Sequence, residues 1–317
     1  MLPTIDSFIS VRETRSLEEY AKDLATSGVR VLPGSPGTFW AQHESGSMMR
    51  IPTFYLEPPA APEVRRVLWN GHVPLASYCL EPDERHLANA WLYVCSDQNY
   101  ALESLAPTVR RNVRRGLKEL KIAPLTLAEM LTHGLQAFCD TRTRTGVSDG
   151  TPEGFHQYFE HDLPEQVYLG AWKGDQLAAF LTIREVDDWA ELGCFSMNAL
   201  LQYRPNDTLM YTALAHYLVK RRFRLVSYGL SSVQAESSAA GLHRFKTKIG
   251  FEARPVHRAF VPHPLLRPFA NKAVHRGVNA ALRLKPGDRR LKKAGGVLAY
   301  ILGDTKMPDM TTGEEDS

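Results

Sequence analysis

The order of elements after residue 166 constrains the fold more than any other feature of the sequence. Alternating apolar residues predict three strands, joined by Gly and Asp turns, at 167–172, 177–186 and 189–197. Helix, strand, helix and strand then follow, at about 206–222, 225–230, 239–249 and 251–261. This order predicts an α/β (α+β) fold in which a mixed sheet is flanked by helices.

The residues on either side of this region predict three further parts. Short apolar runs between Gly and Pro turns predict a sheet-rich N-terminal lobe with strands at 28–32, 49–56, 64–68, 73–80 and 90–95. A helix over 104–120 follows, and its apolar residues recur at helical spacing. After residue 262 we expect an amphipathic helix over 265–284, a basic segment and an acidic tail. The predicted domains are therefore 1–103, 104–262 and 263–317.

Composition and motifs exclude several classes of protein. The 38 Lys and Arg residues nearly balance the 35 Asp and Glu residues, so the chain as a whole is not a polycation that coats nucleic acid. No run approaches the roughly 20 apolar residues of a membrane span, and the first residues carry no leader signal, so we expect a cytoplasmic protein. The four cysteines are far apart and predict reduced thiols, and no metal site is predicted. Motifs of the common hydrolases, NTPases and dehydrogenases are absent.

Basic residues are concentrated locally. Between residues 110 and 121 there are six cations and one acid, and one side of the predicted helix is densely cationic. These cations are candidates to bind a phosphate-rich ligand such as a tRNA backbone, a nucleotide-linked sugar or CoA, although a solvated face is the commoner role of a charge run: Arg110, Arg111, Arg114, Arg115 and Lys118. A second basic cluster, 283–293, is compatible with peripheral contact to membrane headgroups or with covering the domain.

Four sequence segments in a fixed order resemble a known family. They are PTVRRNVRRGLKE at 107–119, YRPNDTLMYTAL at 203–214, YGLSS at 228–232 and GLHRFKTKIGF at 241–251. Together they resemble the GNAT acyltransferase superfamily and, more narrowly, its FemAB-like branch, over roughly half of the chain. The resemblance implies two GNAT-like lobes, of which the first is reduced here. It also implies transfer of an aminoacyl group from a charged tRNA to an amine on a peptidoglycan precursor.

Two features of the sequence depart from the family pattern and leave the donor open. No heptad segment corresponds to the coiled-coil arm of some family members, which argues against tRNA. The glycine-rich loop that holds the pyrophosphate of acetyl-CoA in ordinary GNAT enzymes is replaced by residues 202–207, which contain no glycine. Arg204 and Asn206 are candidate substrate-binding residues in this loop. No bound cofactor is predicted, and the acyl donor is a co-substrate, either aminoacyl-tRNA or acyl-CoA.

The resemblance also implies a catalytic lysine. The Phe-Lys pair of FemAB-like proteins corresponds to Phe245 and Lys246, which assigns Lys246 to the negative charge that develops on the carbonyl oxygen and Phe245 to the pocket wall. The alternative is that Phe245 belongs to the core with Leu242 and Ile249, and that Lys246 is a solvated helix residue.

Polar residues at strand ends complete the candidate site. Tyr228, Ser231 and Ser232 follow a central strand, where their hydroxyls could bind substrate or relay a proton, or they form a turn of small polar residues. Glu191, with Glu185 as the alternative, is the candidate base for the incoming amine, although carboxylates on such strands usually face solvent.

The sequence therefore predicts an acyl- or aminoacyltransferase that forms an amide by direct transfer to a small-molecule or peptide amine, with tRNA as a further candidate partner. One alternative is an acyl-CoA-dependent N-acyltransferase with an atypical pyrophosphate site. The other is a non-catalytic GNAT-like module that binds RNA or another anion through the helix at 104–120. The acceptor, the pathway and the oligomeric state are not readable from the sequence.

Overall fold

The computed structural model describes residues 14–42, 46–145, 150–159, 166–231, 238–285 and 288–305. In this part of the chain the strands are β1 (Val31–Pro33), β2 (Phe39–Gln42), β3 (Met48–Ile51), β4 (Leu75–Leu80), β5 (Ala90–Cys95), β6 (Lys121–Leu125), β7 (Val167–Lys173), β8 (Gln176–Val186), β9 (Trp189–Ser196), β10 (Leu225–Leu230) and β11 (Glu252–Pro262). The helices are α1 (Leu17–Thr26), α2 (Ala61–Asn70), α3 (Pro107–Glu119), α4 (Leu127–His133), α5 (Leu135–Arg144), α6 (Pro152–Phe159), α7 (Pro205–Leu214), α8 (Ser238–Lys248), α9 (Lys272–Leu284) and α10 (Arg289–Leu302).

The chain forms two compact units, each assembled from separate segments. The first unit comprises Met1–Tyr20, Tyr93–Gly229 and Gly241–Glu252, and the second comprises the rest. The sequence-based domains 1–103, 104–262 and 263–317 are continuous and do not coincide with these units, because β11 returns to pair with β4. As a statement about homologous lobes, those ranges stay a prediction.

The sheet of the first unit confirms the predicted mixed α/β architecture. Its strands follow one another in the order β10-β9-β8-β7-β6, with β10 parallel to β9 and the other pairs antiparallel. The β7–β8 turn contains Gly174 at φ +58°, a left-handed conformation that glycine adopts without strain. Helix α5 packs against β8 and β9, and α7 packs against β7, β8 and β9. Between helices α5 and α6 and the sheet lies a cluster of aromatic rings contributed by α5, α6, β8 and β9: Phe138, Phe155, Phe159, Phe180 and Phe195.

The second unit contains its own mixed sheet. Strands β1-β2-β3-β4-β11 follow in that order, with only β3 and β4 parallel among these pairs. The predicted strand at 64–68 is wrong, because these residues lie within α2. Val64, Val67 and Leu68 are buried at helical spacing, and the short apolar run could not distinguish a helix from a strand.

The C-terminal helix of the prediction is shorter than expected. Helix α9 starts at Lys272. Asn271 caps it, because its side chain accepts hydrogen bonds from two backbone N–H groups of the first turn. Pro264 and Pro268 precede this cap and disfavour helical backbone at residues 265–271. Within the described ranges, no helix is both long and apolar enough to cross a membrane.

Candidate active site

Strands β9 and β10 diverge after a short parallel register. Only three residue pairs join them, and the last is Ser227 with Glu191, although β9 continues to Ser196. Beyond this point β10 passes through Gly229 at φ +70°. Open α/β sheets bind their ligands at the carboxyl ends of parallel strands. The diverging strand ends are therefore where a ligand site is expected.

Lys246 of α8 is buried beside this opening. Its side chain is 2% exposed, and Nζ lies 3.9 Å from the ring centroid of Tyr93 and 4.3 Å from that of Tyr228. Nζ also donates a hydrogen bond to the backbone oxygen of Tyr228, at 3.5 Å. No carboxylate of the described residues forms an ion pair with it. Burial lowers the pKa of Lys246 to about 7, because desolvation disfavours the charged amine.

The end of α8 fixes the direction of this lysine. Gly250, at φ +110°, closes the helix, and the backbone N–H of Phe251 donates to the Lys246 oxygen. Ile249 is buried, Phe245 is half-buried, and Leu242 is exposed. The alternative that Lys246 is a solvated residue is therefore wrong, because Lys246 shares the buried side of the helix with Ile249.

Tyr93 and His243 form a pair beside the lysine that the sequence did not single out. The Tyr93 hydroxyl lies 3.0 Å from His243 Nδ1. Burial raises the pKa of Tyr93 to about 12, so the phenol is neutral. Burial and the neighbouring Lys246 lower the pKa of His243. The three-residue spacing of His243 and Lys246 places both on one side of a helix, so His243 could have been selected from the sequence. Tyr93 could not, because the sequence assigned its strand to a different domain, residues 1–103.

Tyr228 contributes its ring and its backbone carbonyl to Lys246. The ring also meets Phe251 edge-on, with centroids 5.6 Å apart. Burial, with a smaller effect of Cys194, raises the pKa of Tyr228 well above 10. Its hydroxyl has no hydrogen-bond partner within the described ranges, so it is free to contact a substrate.

Glu191 lies at the point where β9 and β10 separate. Its Oε2 accepts a hydrogen bond from Arg184 Nη1 at 3.1 Å, while a Cβ atom on Gly229 would lie 3.5 Å from Oε1. A quarter of its side chain is exposed. Glu185 is different: it is buried, accepts a hydrogen bond from the Tyr217 hydroxyl and lies 3.9 Å from Arg221. Of the two candidate bases, Glu191 is the one beside the strand ends.

The start of α7 brings Arg204 and Asn206 to the same sheet. Arg204 is exposed and adopts φ +60° immediately before α7, which starts at Pro205, one residue before the predicted start. Asn206 Oδ1 accepts a hydrogen bond from Cys194 Sγ on β9, at 3.5 Å. Burial raises the pKa of the Cys194 thiol to about 12, so it is not a thiolate nucleophile.

Of the two predicted serines, the structure describes only Ser231. Ser231 is buried in the second unit, where its N–H donates to the Trp91 oxygen at 2.7 Å and its Oγ accepts from the Trp91 N–H at 2.9 Å. These bonds fix the backbone that follows β10. Ser232 lies outside the described residues, and its predicted role stays a prediction.

The cationic side of α3 faces solvent. Four of its cations are exposed, and Arg110 is half-buried, with Nη1 3.5 Å from the Glu103 oxygen. Gly116, on the opposite side of α3, packs so closely on α7 that an added Cβ would lie 1.8 Å from Thr208 Oγ1. The cations therefore lie on the side of α3 that does not pack on α7. Within the described ranges, four of the five form no ion pair: Arg110, Arg111, Arg115 and Lys118.

Known structures share this arrangement of elements. The chain is similar to FemX, with a TM-score of 0.51 and 10% identity over 80% of this chain and 93% of that one. It is also similar to L-PGS from Bacillus licheniformis, with a TM-score of 0.50 and 13% identity over 81% of this chain and 95% of that one. The chain therefore shares the fold of these two structures, a mixed α/β sheet flanked by helices. The sequence matches no protein-family model and no curated protein.

This likeness confirms the predicted mixed α/β fold and agrees with the predicted resemblance to FemAB-like proteins. At 10 to 13% identity it is evidence of fold alone. Lys246 of α8 contacts Tyr228 of β10, and Glu191 of β9 lies beside Gly229 of β10. The roles assigned to these residues stay predictions.

Proposed function

We propose that the protein is an acyl- or aminoacyltransferase that forms an amide by direct attack of an amine on an activated carbonyl carbon. The observation that supports this most is a buried lysine at the open end of two parallel strands, with no carboxylate partner among the described residues. In the reaction, the amine nitrogen bonds to the carbonyl carbon and loses a proton. The bond to the tRNA oxygen or the CoA sulfur breaks, and that atom leaves with its electron pair.

Lys246 is assigned the role of stabilising the negative charge that develops on the carbonyl oxygen under attack. Its ammonium is held between two ring faces in a site that excludes most solvent, where a positive charge stabilises a developing oxyanion more strongly than in water. The π faces of Tyr93 and Tyr228 favour the charged form at that position and restrict its movement. The ammonium is thus positioned before the charge on oxygen appears.

Glu191 is assigned the role of general base, which accepts the proton of the attacking amine. Arg184 holds Oε2 of the carboxylate, which leaves Oε1 on the side of Gly229. A carboxylate held in this way can accept a proton from an amine within hydrogen-bond distance. The Tyr228 hydroxyl, which has no partner in the described residues, is assigned to orienting the substrate.

We favour an aminoacyl donor and an amine-bearing acceptor, as expected for a FemX-like fold. The first turn of α7 contains Asp207, whose carboxylate opposes binding of a pyrophosphate at a helix N-terminus. The acyl-CoA alternative remains a candidate because Arg204 is exposed at the start of the same helix.

The experiment is a donor screen with the purified full chain. Thermal-shift and calorimetric titrations use acetyl-CoA, longer acyl-CoAs, aminoacyl-tRNA, uncharged tRNA and bulk RNA, at two salt concentrations. A donor that stabilises the protein saturably is then assayed for transfer of its labelled acyl group to a panel of amines.

Two variants distinguish catalysis from binding in this screen. Lys246→Ala should abolish transfer, whereas Lys248→Ala, on the exposed side of the same helix, should leave it unchanged. Full activity of Lys246→Ala would overturn the assignment. If no donor binds and only salt-sensitive RNA binding remains, and if Arg111→Glu with Arg114→Glu removes it, the protein is a binding module and the transferase proposal fails.

A further inference from the structure

Most of the large apolar side chains that the described structure leaves exposed lie in one short stretch of the second unit. Five of the eight are found between residues 265 and 284, including Leu265 at 68%, Phe269 at 63% and Leu284 at 85% exposure. A sixth, Trp69, touches the adjacent His263 edge-on, with ring centroids 4.4 Å apart. We call these residues the apolar patch: Trp69, Leu265, Leu266, Phe269, Val274 and Leu284.

The backbone explains why these side chains remain uncovered. Residues 264–269 are all exposed and form an irregular segment with a short 3₁₀ turn at Arg267–Phe269. Helix α9 contains no fully buried residue. It packs on α10 through one side only, where an added Cβ on Gly295 would lie 3.5 Å from Val278 and Leu282. Its other side has no covering element within the described ranges.

The segment that contains most of the apolar patch carries charges of a single sign. The sequence from residue 263 to 287 contains no Asp or Glu. It contains five cations: Arg267, Lys272, Arg276, Arg283 and Lys285. An ordinary solvated surface mixes both signs of charge. Exposed apolar side chains on a segment whose only charges are cations match a partner that is apolar beneath a negatively charged surface.

We propose that the apolar patch docks the second unit on the surface of an anionic lipid bilayer. Leu265, Leu266 and Phe269 enter the boundary between headgroups and acyl chains, and the five cations contact lipid phosphates. Trp69 lies at the level of the headgroups, the position that amphipathic aromatic rings favour. A second copy of the chain is a poorer occupant, because a symmetric interface would place like charges against one another.

The test is flotation of the full chain with lipid vesicles. One set consists of phosphatidylcholine, and the other contains about one-third phosphatidylglycerol, which carries the negative charge. We expect binding to the anionic vesicles at least about tenfold stronger than to the neutral ones, with a decrease at high salt. A blue shift of tryptophan emission on binding should be reduced in Trp69→Phe.

Two variants and one control separate the apolar from the electrostatic contribution. Leu265→Ser with Phe269→Ser should weaken vesicle binding about tenfold or more, and Arg267→Glu with Arg276→Glu should remove the preference for anionic lipid. Leu87→Ser, at an exposed apolar residue outside the patch, should bind like the wild type. All of these side chains are exposed, so the midpoint of thermal unfolding should not change.

Three results would overturn the proposal. The first is equal binding to both vesicle types, or to neither. The second is a Leu265→Ser, Phe269→Ser variant that binds as well as Leu87→Ser. The third is a concentration-dependent dimer in sedimentation velocity that this double variant dissociates, without vesicle binding, which would assign the apolar patch to self-association.

Discussion

Replacing Lys246 with methionine should make the protein more stable while abolishing transfer. Methionine is similar in length and volume, and it leaves no charge between the rings of Tyr93 and Tyr228. Lowering the pKa from 10.5 to about 7 means that the buried charge destabilises the native state by roughly 5 kcal/mol. The two cation–π contacts offset part of this, by about 1 kcal/mol or more each, and every 1.4 kcal/mol that they contribute raises the native pKa by about one unit. At pH 6 we therefore expect Lys246→Met to be more stable by about 2 to 4 kcal/mol.

The pH dependence of this difference has a definite sign. Below pH 7 the lysine is protonated in both the native and the unfolded chain, so the full cost of the buried charge is present. Above pH 7 the native wild type releases the proton, while the unfolded chain keeps it up to about pH 10.5. The stability of the wild type relative to Lys246→Met then rises by about 1.4 kcal/mol per pH unit. The advantage of the variant should decrease by about 2 kcal/mol between pH 7 and pH 9.

Urea unfolding of both proteins between pH 6 and pH 9 measures this difference directly. Lys248→Met is the matched control, because Lys248 is on the same helix but is exposed. Its stability relative to the wild type should not depend on pH. The reasoning is refuted if the difference between Lys246→Met and the wild type is constant over this range, or if Lys246→Met and Lys248→Met behave alike.

Three further predictions concern the pH profile and two packing features. If the charged form of Lys246 acts on the oxyanion, kcat/KM should fall as pH rises through about 7, and Lys246→Arg should retain this activity above pH 9; a profile unchanged in Lys246→Arg would contradict the role. Gly116→Ala should destabilise the protein by about 2 kcal/mol in chemical denaturation, because its Cβ would meet Thr208 Oγ1, and Thr208→Ala in that background should restore part of the loss. Arg258 is half-buried over the Phe260 ring and forms no ion pair in the described residues, and burial lowers its pKa. Arg258→Met should therefore increase the unfolding free energy by about 1 kcal/mol, whereas a clear loss of stability would mean that the guanidinium has a partner.

The sequence was informative where local signals decide the structure. The three meander strands, β10 and α8 lie within one or two residues of their predicted bounds. Turns at Gly174 and Gly250 required positive φ, and each marked the end of an element. The strand predicted at 64–68 was wrong because so short an apolar run fits the period of a helix as well as that of a strand. The start of α9 failed because two prolines and the Asn271 cap outweighed the apolar pattern before it.

The candidate site was only partly predictable, because its members are joined by pairing that a single sequence does not encode. Tyr93 reaches Lys246 from β5, and the two residues are 153 positions apart in the chain. No spacing rule connects them. The resemblance to FemAB-like proteins supplied Lys246, Tyr228 and Phe245, whereas it gave no reason to select His243 or Cys194.

The rule that apolar residues define the inner side of a helix failed at Lys246, and the physical reason bears on function. Hydrophobicity alone favours Leu242 inside and Lys246 outside, yet Leu242 is 39% exposed and Lys246 is 2% exposed. Burying an ammonium without a carboxylate costs several kcal/mol of stability, and two aromatic faces offset only part of that cost. A helix that folded for stability alone would place an apolar side chain there. The departure is therefore best explained by chemistry that needs a positive charge in a desolvated site at the open end of β10.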